Sequence, residues 1–250
     1  AMSRGGSGSH YLGKLLHGAE DFHLTEEVYF PPTLLDTLAA SNELDGSPFL
    51  DFIDLLHTGR IDAGISHTTV VNIGHLNPHA RPVRLRNLGV RGHFLLLLRN
   101  PFDLTVSRAF RKEQYRAASG AITDDDEYLS QQARSCAGFL RRATTQQWDM
   151  VVRYEHLVDN PISVLRDIFL SLGTQLDIDG VNDAIRRNDA NRAQERANMG
   201  NLNLEPRKPL APRHARILMT HLLEPAAEFG YMAPLSVSDA LGYDSDGSTS

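Results

Sequence analysis

Residues 92–107 read Gly92-His93-Phe94-Leu95-Leu96-Leu97-Leu98-Arg99-Asn100-Pro101-Phe102-Asp103-Leu104-Thr105-Val106-Ser107. Phe94 to Leu98 are apolar without alternation, the pattern of a strand covered on both faces of a parallel sheet. Pro101 has no amide hydrogen for strand pairing, and its fixed φ suits the first turn of a helix. Asn100 is placed to cap that helix, and Asp103 falls in its first turn, where a carboxylate meets the positive end of the dipole. The stretch therefore predicts a strand, a tight turn and a helix. Arg99 ends the strand, and Ser107 lies one to two turns into the helix. Open α/β sheets bind ligands at this carboxyl edge. A guanidinium there offers a planar fork matched to two phosphate oxygens. The same residues also read as a strand-end Arg paired with Asp103 behind a capping Asn-Pro.

The rest of the composition is compatible with one large α/β domain. The chain has 250 residues, enough for a substantial core. Its net charge of −6 argues against non-specific binding to nucleic acid or to membrane surfaces, so a polyanionic ligand must be held by local basic groups. Of 25 basic residues only Lys14, Lys112 and Lys208 are Lys. The single cysteine, Cys136, excludes a disulfide framework and a thiolate zinc site. No apolar run reaches transmembrane length and no signal peptide is visible, which makes the cytoplasm the expected location.

Arg99-Asn-Pro-Phe-Asp-Leu-Thr-Val-Ser107 resembles the R-x-P-x-D-x-x-x-S segment of sulfotransferases that use 3′-phosphoadenosine-5′-phosphosulfate (PAPS). The likeness is to bacterial-type enzymes similar to the cytosolic sulfotransferases. It implies that Arg99 and Ser107 grip the 3′-phosphate of the nucleotide.

Residues 3–18 form a Gly/Ser-rich loop running into a short helix, with Tyr11, Leu12, Leu15 and Leu16 on its apolar face. Glycines admit a close approach of ligand to backbone, and successive amides at a helix start favour anions. A disordered terminus is the plainer reading of such a composition. Gly8-x-x-x-x-Gly13-Lys14 approaches a Walker A loop, but Leu15 stands where the magnesium-binding Ser or Thr belongs and the glycines fall inside the helix. A P-loop nucleotide kinase or ATPase is accordingly the alternative reading. Ser7-Gly8-Ser9-His10-Tyr11-Leu12 is also similar to the 5′-phosphosulfate loop of sulfotransferases. On that reading Ser7, Gly8 and Ser9 hold the 5′-phosphate and Tyr11 lies near the adenine, with Arg4, Gly6 and His10 completing the nucleotide-binding loop. Gly6 occupies the place of the family's Lys or Arg, so the charge falls to Arg4 or Lys14. The first strand of the fold has almost no room before the loop, and the leading Ala-Met reads as a cloning remnant.

Residues 68–76, Thr-Thr-Val-Val-Asn-Ile-Gly-His-Leu, predict one strand ending at His75. This resembles the family's T-H-L-P segment and implies that His75 is the general base that deprotonates the acceptor hydroxyl, a role suited to the ordinary imidazole pKa. With eleven His in the chain, a strand-end His is also a common hydrogen-bonded rim residue. Glu26 and Glu27 are fallbacks for the base. Arg81, Arg84, Arg86 and Arg91 read as a solvated helix face.

Residues 33–41 and 48–57 read as amphipathic segments, and 102–118 and 128–147 as helices, the second with Leu129, Ala133, Cys136, Phe139 and Leu140 inward. Met150 to Tyr154 predict a strand, and Leu165, Ile168, Phe169 and Leu172 one face of a helix ended by Gly173. The run from Arg153-Tyr154-Glu155 to Leu172-Gly173 resembles the family's R-Y-E-D-L…L-G block, with His156 where Asp is usual. It implies that Tyr154 approaches the adenine, with Arg153 and Glu155 bracing the sheet edge. Residues 182–210 are polar and stand where the family carries a basic loop over the 3′-phosphate. Arg192, Arg196, Arg207 and Lys208 are the candidates there, Arg196 foremost. A closing helix spans Pro212 to Gly230, and residues 236–250 read as a disordered tail after a single domain over 1–235.

Together these blocks imply an α/β, P-loop-like sulfotransferase fold, a parallel central sheet between layers of helices. The implied activity is transfer of a sulfuryl group from PAPS, with adenosine 3′,5′-bisphosphate as product and no metal. The acceptor is a small-molecule or carrier-tethered hydroxyl. A non-catalytic nucleotide-binding domain of the same fold is the remaining alternative.

Overall fold

The structure, a computed structural model, describes residues 2–4, 6–17, 22–24, 68–70, 73–74, 82–87, 93–110, 124–198 and 210–241. The chain divides into two compact units, Ala1–Leu98 with Gln146–Asn198, and Arg99–Thr145 with Met199–Ser250.

The first unit is built on a parallel sheet of order β4-β1-β5-β6, formed by β1 (Met2–Ser3), β4 (Ile73–Gly74), β5 (Leu95–Leu98) and β6 (Met150–Arg153). β1 pairs on both sides, Ser3 opposite Gly74 and opposite Leu97, while Leu98 pairs with Arg153. The first strand, for which the sequence leaves almost no room before the loop, is the two-residue Met2–Ser3. Met2 is 1% exposed and belongs to the core. β5 is buried on both faces, as its unbroken Leu run requires.

Leu95, Leu97 and Val152 face a cluster formed with Tyr11, Leu12, Leu15 and Leu16 of α1 (Ser9–His17). Leu157 of α5 (Tyr154–Asp159), Leu165, Ile168 and Phe169 of α6 (Pro161–Leu172), and Val181 and Ala184 of α7 (Ile178–Asn198) complete it. At the sheet's amino edge, Asp149 Oδ2 accepts from Phe94 N and from Arg86 Nη2, both at 2.7 Å. Arg86 Nη1 also donates to the Gln147 carbonyl at 2.7 Å, and its guanidinium lies 4.6 Å from the Phe94 ring centroid. Arg86, on α2 (Pro82–Asn87), is thus a brace between sheet edge and helix and no mere solvated cation.

Three expectations change here. The run 68–76 is not one strand: β3 (Thr68–Val70) pairs with β2 (Phe22–Leu24) in a separate parallel sheet, and only Ile73–Gly74 joins the main one. Residues 182–198 are not a loop but most of α7, so Arg192 and Arg196 lie on a helix. Tyr154 opens α5 instead of ending β6. The segments 33–41, 48–57 and 111–118 lie outside the described residues.

The second unit contains α3 (Pro101–Phe110), α4 (Asp125–Thr144), α8 (Pro212–Ala227) and α9 (Leu235–Asp239). Asn100 caps α3 as expected, its Oδ1 accepting from Phe102 N at 3.0 Å and Asp103 N at 3.3 Å. Asp124 caps α4 by accepting from Glu127 N at 2.8 Å. Leu129, Ala133, Cys136, Phe139 and Leu140 are buried, as their spacing predicts. α4 packs on α8, where Asp126 meets Arg213 at 3.0 Å and His214 at 2.8 Å, and Ser130 Oγ hydrogen-bonds His221 Nε2 at 3.2 Å. α9, with Val237 buried, falls within the stretch whose composition reads as a tail. No described helix is long and apolar enough to cross a membrane.

Candidate functional site

The parallel register brings the carboxyl ends of β4, β1, β5 and β6 to one edge of the sheet. From that edge β1 runs into a turn in which Ser7 N donates to the Arg4 carbonyl at 2.9 Å. Gly6 takes the third position of the turn at φ 92°, a left-handed conformation open to glycine. Gly8 follows at φ 94° and its carbonyl accepts the first helical bond of α1, from Leu12 N at 3.0 Å. The amides of Gly8, Ser9 and His10 precede that bond and have no acceptor within the helix. Ser3, Ser7 and Ser9 are 1%, 1% and 7% exposed, and Arg4 is 5% exposed. The first turn of α1 holds no acidic residue.

The Tyr154 ring closes on this loop. A Cβ built on Gly8 would lie under 3.0 Å from Tyr154 Cδ2 and Cε2, so only a residue without a side chain fits between loop and ring. The start of one helix and the first residue of another therefore meet at the ligand edge of the sheet, in a stretch whose Ser3, Arg4, Ser7 and Ser9 are buried. Amides at a helix start, hydroxyls and a cation form a donor set for phosphate oxygens.

No protein-family model and no curated protein matches the sequence. In structure the chain is similar to the sulfotransferase domain of the Synechococcus PCC 7002 olefin synthase, with a TM-score of 0.51 and 17% identity. The likeness covers 93% of this chain and 94% of that one. The chain has the P-loop-like sulfotransferase fold.

Within that fold the sequence-predicted residues fall as follows. Ser7, Gly8 and Ser9 form the loop with Arg4 and Gly6, and Tyr154 packs against it. The Ser7 amide, expected to face a phosphate, is engaged in the turn, where it donates to the Arg4 carbonyl. His10 is exposed on α1, and Tyr11 is buried in the core cluster, so the ring on the loop is that of Tyr154. Gly13 and Lys14 lie inside α1, Lys14 on its exposed side and Leu15 fully buried. A Walker A loop needs those positions at the phosphates, so the kinase reading loses its residues. Arg99 follows β5 directly, and Ser107 is 8% exposed on α3. His75 comes next after β4 in the sequence but lies outside the described residues, as do Glu26, Glu27, Arg207, Lys208 and the side chain of Arg196. Sequence reasoning passed over Ser3, whose buried Oγ has no hydrogen-bond partner among the described residues. Its place immediately before Arg4, at the end of β1, was the available signal.

Proposed function

We propose that the protein is a PAPS-dependent sulfotransferase acting on an acceptor hydroxyl. The observation that carries this is the glycine turn between β1 and α1, with Tyr154 seated on Gly8, at the carboxyl edge of a sulfotransferase-fold sheet. The donor set fits the nucleotide: the Gly8, Ser9 and His10 amides and the Ser7 and Ser9 hydroxyls suit a 5′-phosphate, and the Tyr154 ring offers a face for a base. Arg99 and Ser107 are assigned to the 3′-phosphate on their sequence pattern, with Arg196 as a further cation. PAPS, when bound, supplies the sulfuryl group and a leaving oxygen on the 5′-phosphate.

The protein's share of such a transfer is positioning and charge stabilisation, as in phosphoryl transfer. His75, which follows β4 in the sequence, is assigned as the base that takes the acceptor's proton. The acceptor is a small-molecule or carrier-tethered hydroxyl. Calorimetry with adenosine 3′,5′-bisphosphate against ATP, followed by assay of bisphosphate release from PAPS over a panel of hydroxyl acceptors, tests the reading. Selective binding of the bisphosphate with acceptor-dependent release is expected. Preference for ATP with magnesium would replace it with the kinase reading, and binding without release by any acceptor would leave a nucleotide-binding domain.

A further inference from the structure

We infer that His214 is a positioning residue for the 3′-phosphate: it fixes the last turn of α3, and with it Ser107, against α4 and α8. This deepens the nucleotide reading above and rests on it. All the groups involved lie within the second unit.

α3 runs from Pro101 to Phe110, with Ser107 8% exposed in its second half. Its first turn is set by Asn100, whose Oδ1 accepts from the Phe102 and Asp103 amides. A helix fixed at that end alone is free to tilt about it. Ser107 stands six residues beyond Pro101, about 9 Å along the axis at the α-helical rise. A tilt of about 6° would carry its hydroxyl by about 1 Å, a displacement large enough to spoil a bound geometry. The far end of α3 therefore needs a hold of its own.

Two contacts supply it. Arg108 Nε donates to Gln132 Oε1 of α4 at 3.1 Å. Phe110, the last residue of α3, meets the His214 ring with the centroids 5.2 Å apart and the planes tilted by 40°. Phe110 comes three residues after Ser107, which makes the two neighbours on the helix surface. His214 is itself held in place. It is the third residue of α8, its side chain is 14% exposed, and its Nε2 lies 2.8 Å from Asp126 Oδ1 in the first turn of α4. Arg213 Nε meets the same oxygen at 3.0 Å. One imidazole thus joins three helix ends, with a ring for α3 and a nitrogen for α4. An aliphatic side chain would offer no nitrogen to Asp126, and a carboxamide no ring to Phe110. Farther along the same seam, Ser130 Oγ and His221 Nε2 join α4 to α8 at 3.2 Å.

Calorimetry with adenosine 3′,5′-bisphosphate and with adenosine 5′-monophosphate gives a ratio of affinities that isolates the 3′-phosphate. His214→Ala is expected to reduce that ratio by about 3- to 10-fold, the scale of one aromatic contact. Affinity for the 5′-monophosphate should stay within about twofold, which a general loosening of the fold would not allow. His214→Phe keeps a ring beside Phe110 and should restore the greater part of the ratio. Phe110→Ala should match His214→Ala, and combining the two should cost less than the sum of the single losses. Ser130→Ala, which weakens the same pair of helices away from Phe110, should leave the ratio unmoved. Far-ultraviolet circular dichroism checks folding, and if His214→Ala misfolds, the decision passes to Phe110→Ala at its partly exposed position. An unchanged ratio, additive losses in the double variant, or an equal loss in Ser130→Ala overturns the inference. Equal affinity of the wild-type protein for both nucleotides would instead sink the assignment of Arg99 and Ser107 to a 3′-phosphate, and the inference with it.

Discussion

Replacing Gly8 by Ala probes the contact on which the candidate site is assembled. Two costs arise from the structure. The first is conformational: at φ 94° an L-residue sits in a left-handed region, a penalty of about 1–2 kcal/mol. The second is steric, because the new methyl would stand under 3.0 Å from two ring carbons of Tyr154. Relief requires the ring or the loop to move, on the scale of overpacking, about 1–3 kcal/mol. Against these, Ala restricts the unfolded chain and returns about 0.4–1 kcal/mol. The net expectation is a loss of about 1–4 kcal/mol in urea unfolding. The two costs separate in a double-mutant cycle with Tyr154→Ala. Without the ring the methyl meets space, so Gly8→Ala should then cost only the backbone part. A coupling of about 1–3 kcal/mol is expected. An equal cost of Gly8→Ala in both backgrounds would show that the Tyr154 ring does not lie on Gly8, and the loop as described would be wrong.

Other perturbations address single groups. His75→Ala should abolish sulfuryl transfer and leave affinity for adenosine 3′,5′-bisphosphate nearly unchanged; parallel loss of both would make His75 structural. Arg99→Ala should weaken bisphosphate binding by about 2 kcal/mol or more, as a lost charge-assisted contact does, and calorimetry showing no change would remove Arg99 from the site. Arg86→Ala removes a partly exposed ion pair and should cost about 1–2 kcal/mol of stability. Asp149→Ala should cost more, since it also deprives Phe94 N of its acceptor; the reverse order would refute the brace. Burial, then the Arg134 and Arg141 charges, hold the His221 imidazole below the usual histidine range. The unfolded chain then binds the proton more readily, so this stability contribution is present above about pH 6.5 and is lost as pH falls toward the folded value. His221→Gln should flatten the acid limb of the stability–pH curve, read as the difference from wild type, and an unchanged limb would count against it.

How far the chain could be read from its residues depended on how local each determinant was. β5, the Asn100 cap and α3 are contiguous, and each signal in residues 94–110 acts within a turn of the residue that carries it. β1 was hidden for the opposite reason. Two residues have no periodicity, and Met2–Ser3 is a strand only because Ile73–Gly74 and Leu96–Leu97 lie on either side of it. The apolar run 68–74 announces extended backbone but not where it passes from one sheet to another, which is a matter of partners distant in sequence. α7 was missed because, among the described residues, its buried positions Val181, Ala184 and Asn188 are small or polar and give little helical contrast against many Asn, Asp and Arg residues. In the site, the Ser-Gly-Ser motif was visible, whereas the reason for Gly6 was not. A cation expected from the pattern is excluded by a backbone angle, and a backbone angle has no letter of its own. The same holds for Gly8 and Tyr154, which stand far apart in sequence and meet because β1 and β6 end at one edge of a parallel sheet. The motif indicated which residues form the loop; the sheet determines that an aromatic ring packs on Gly8.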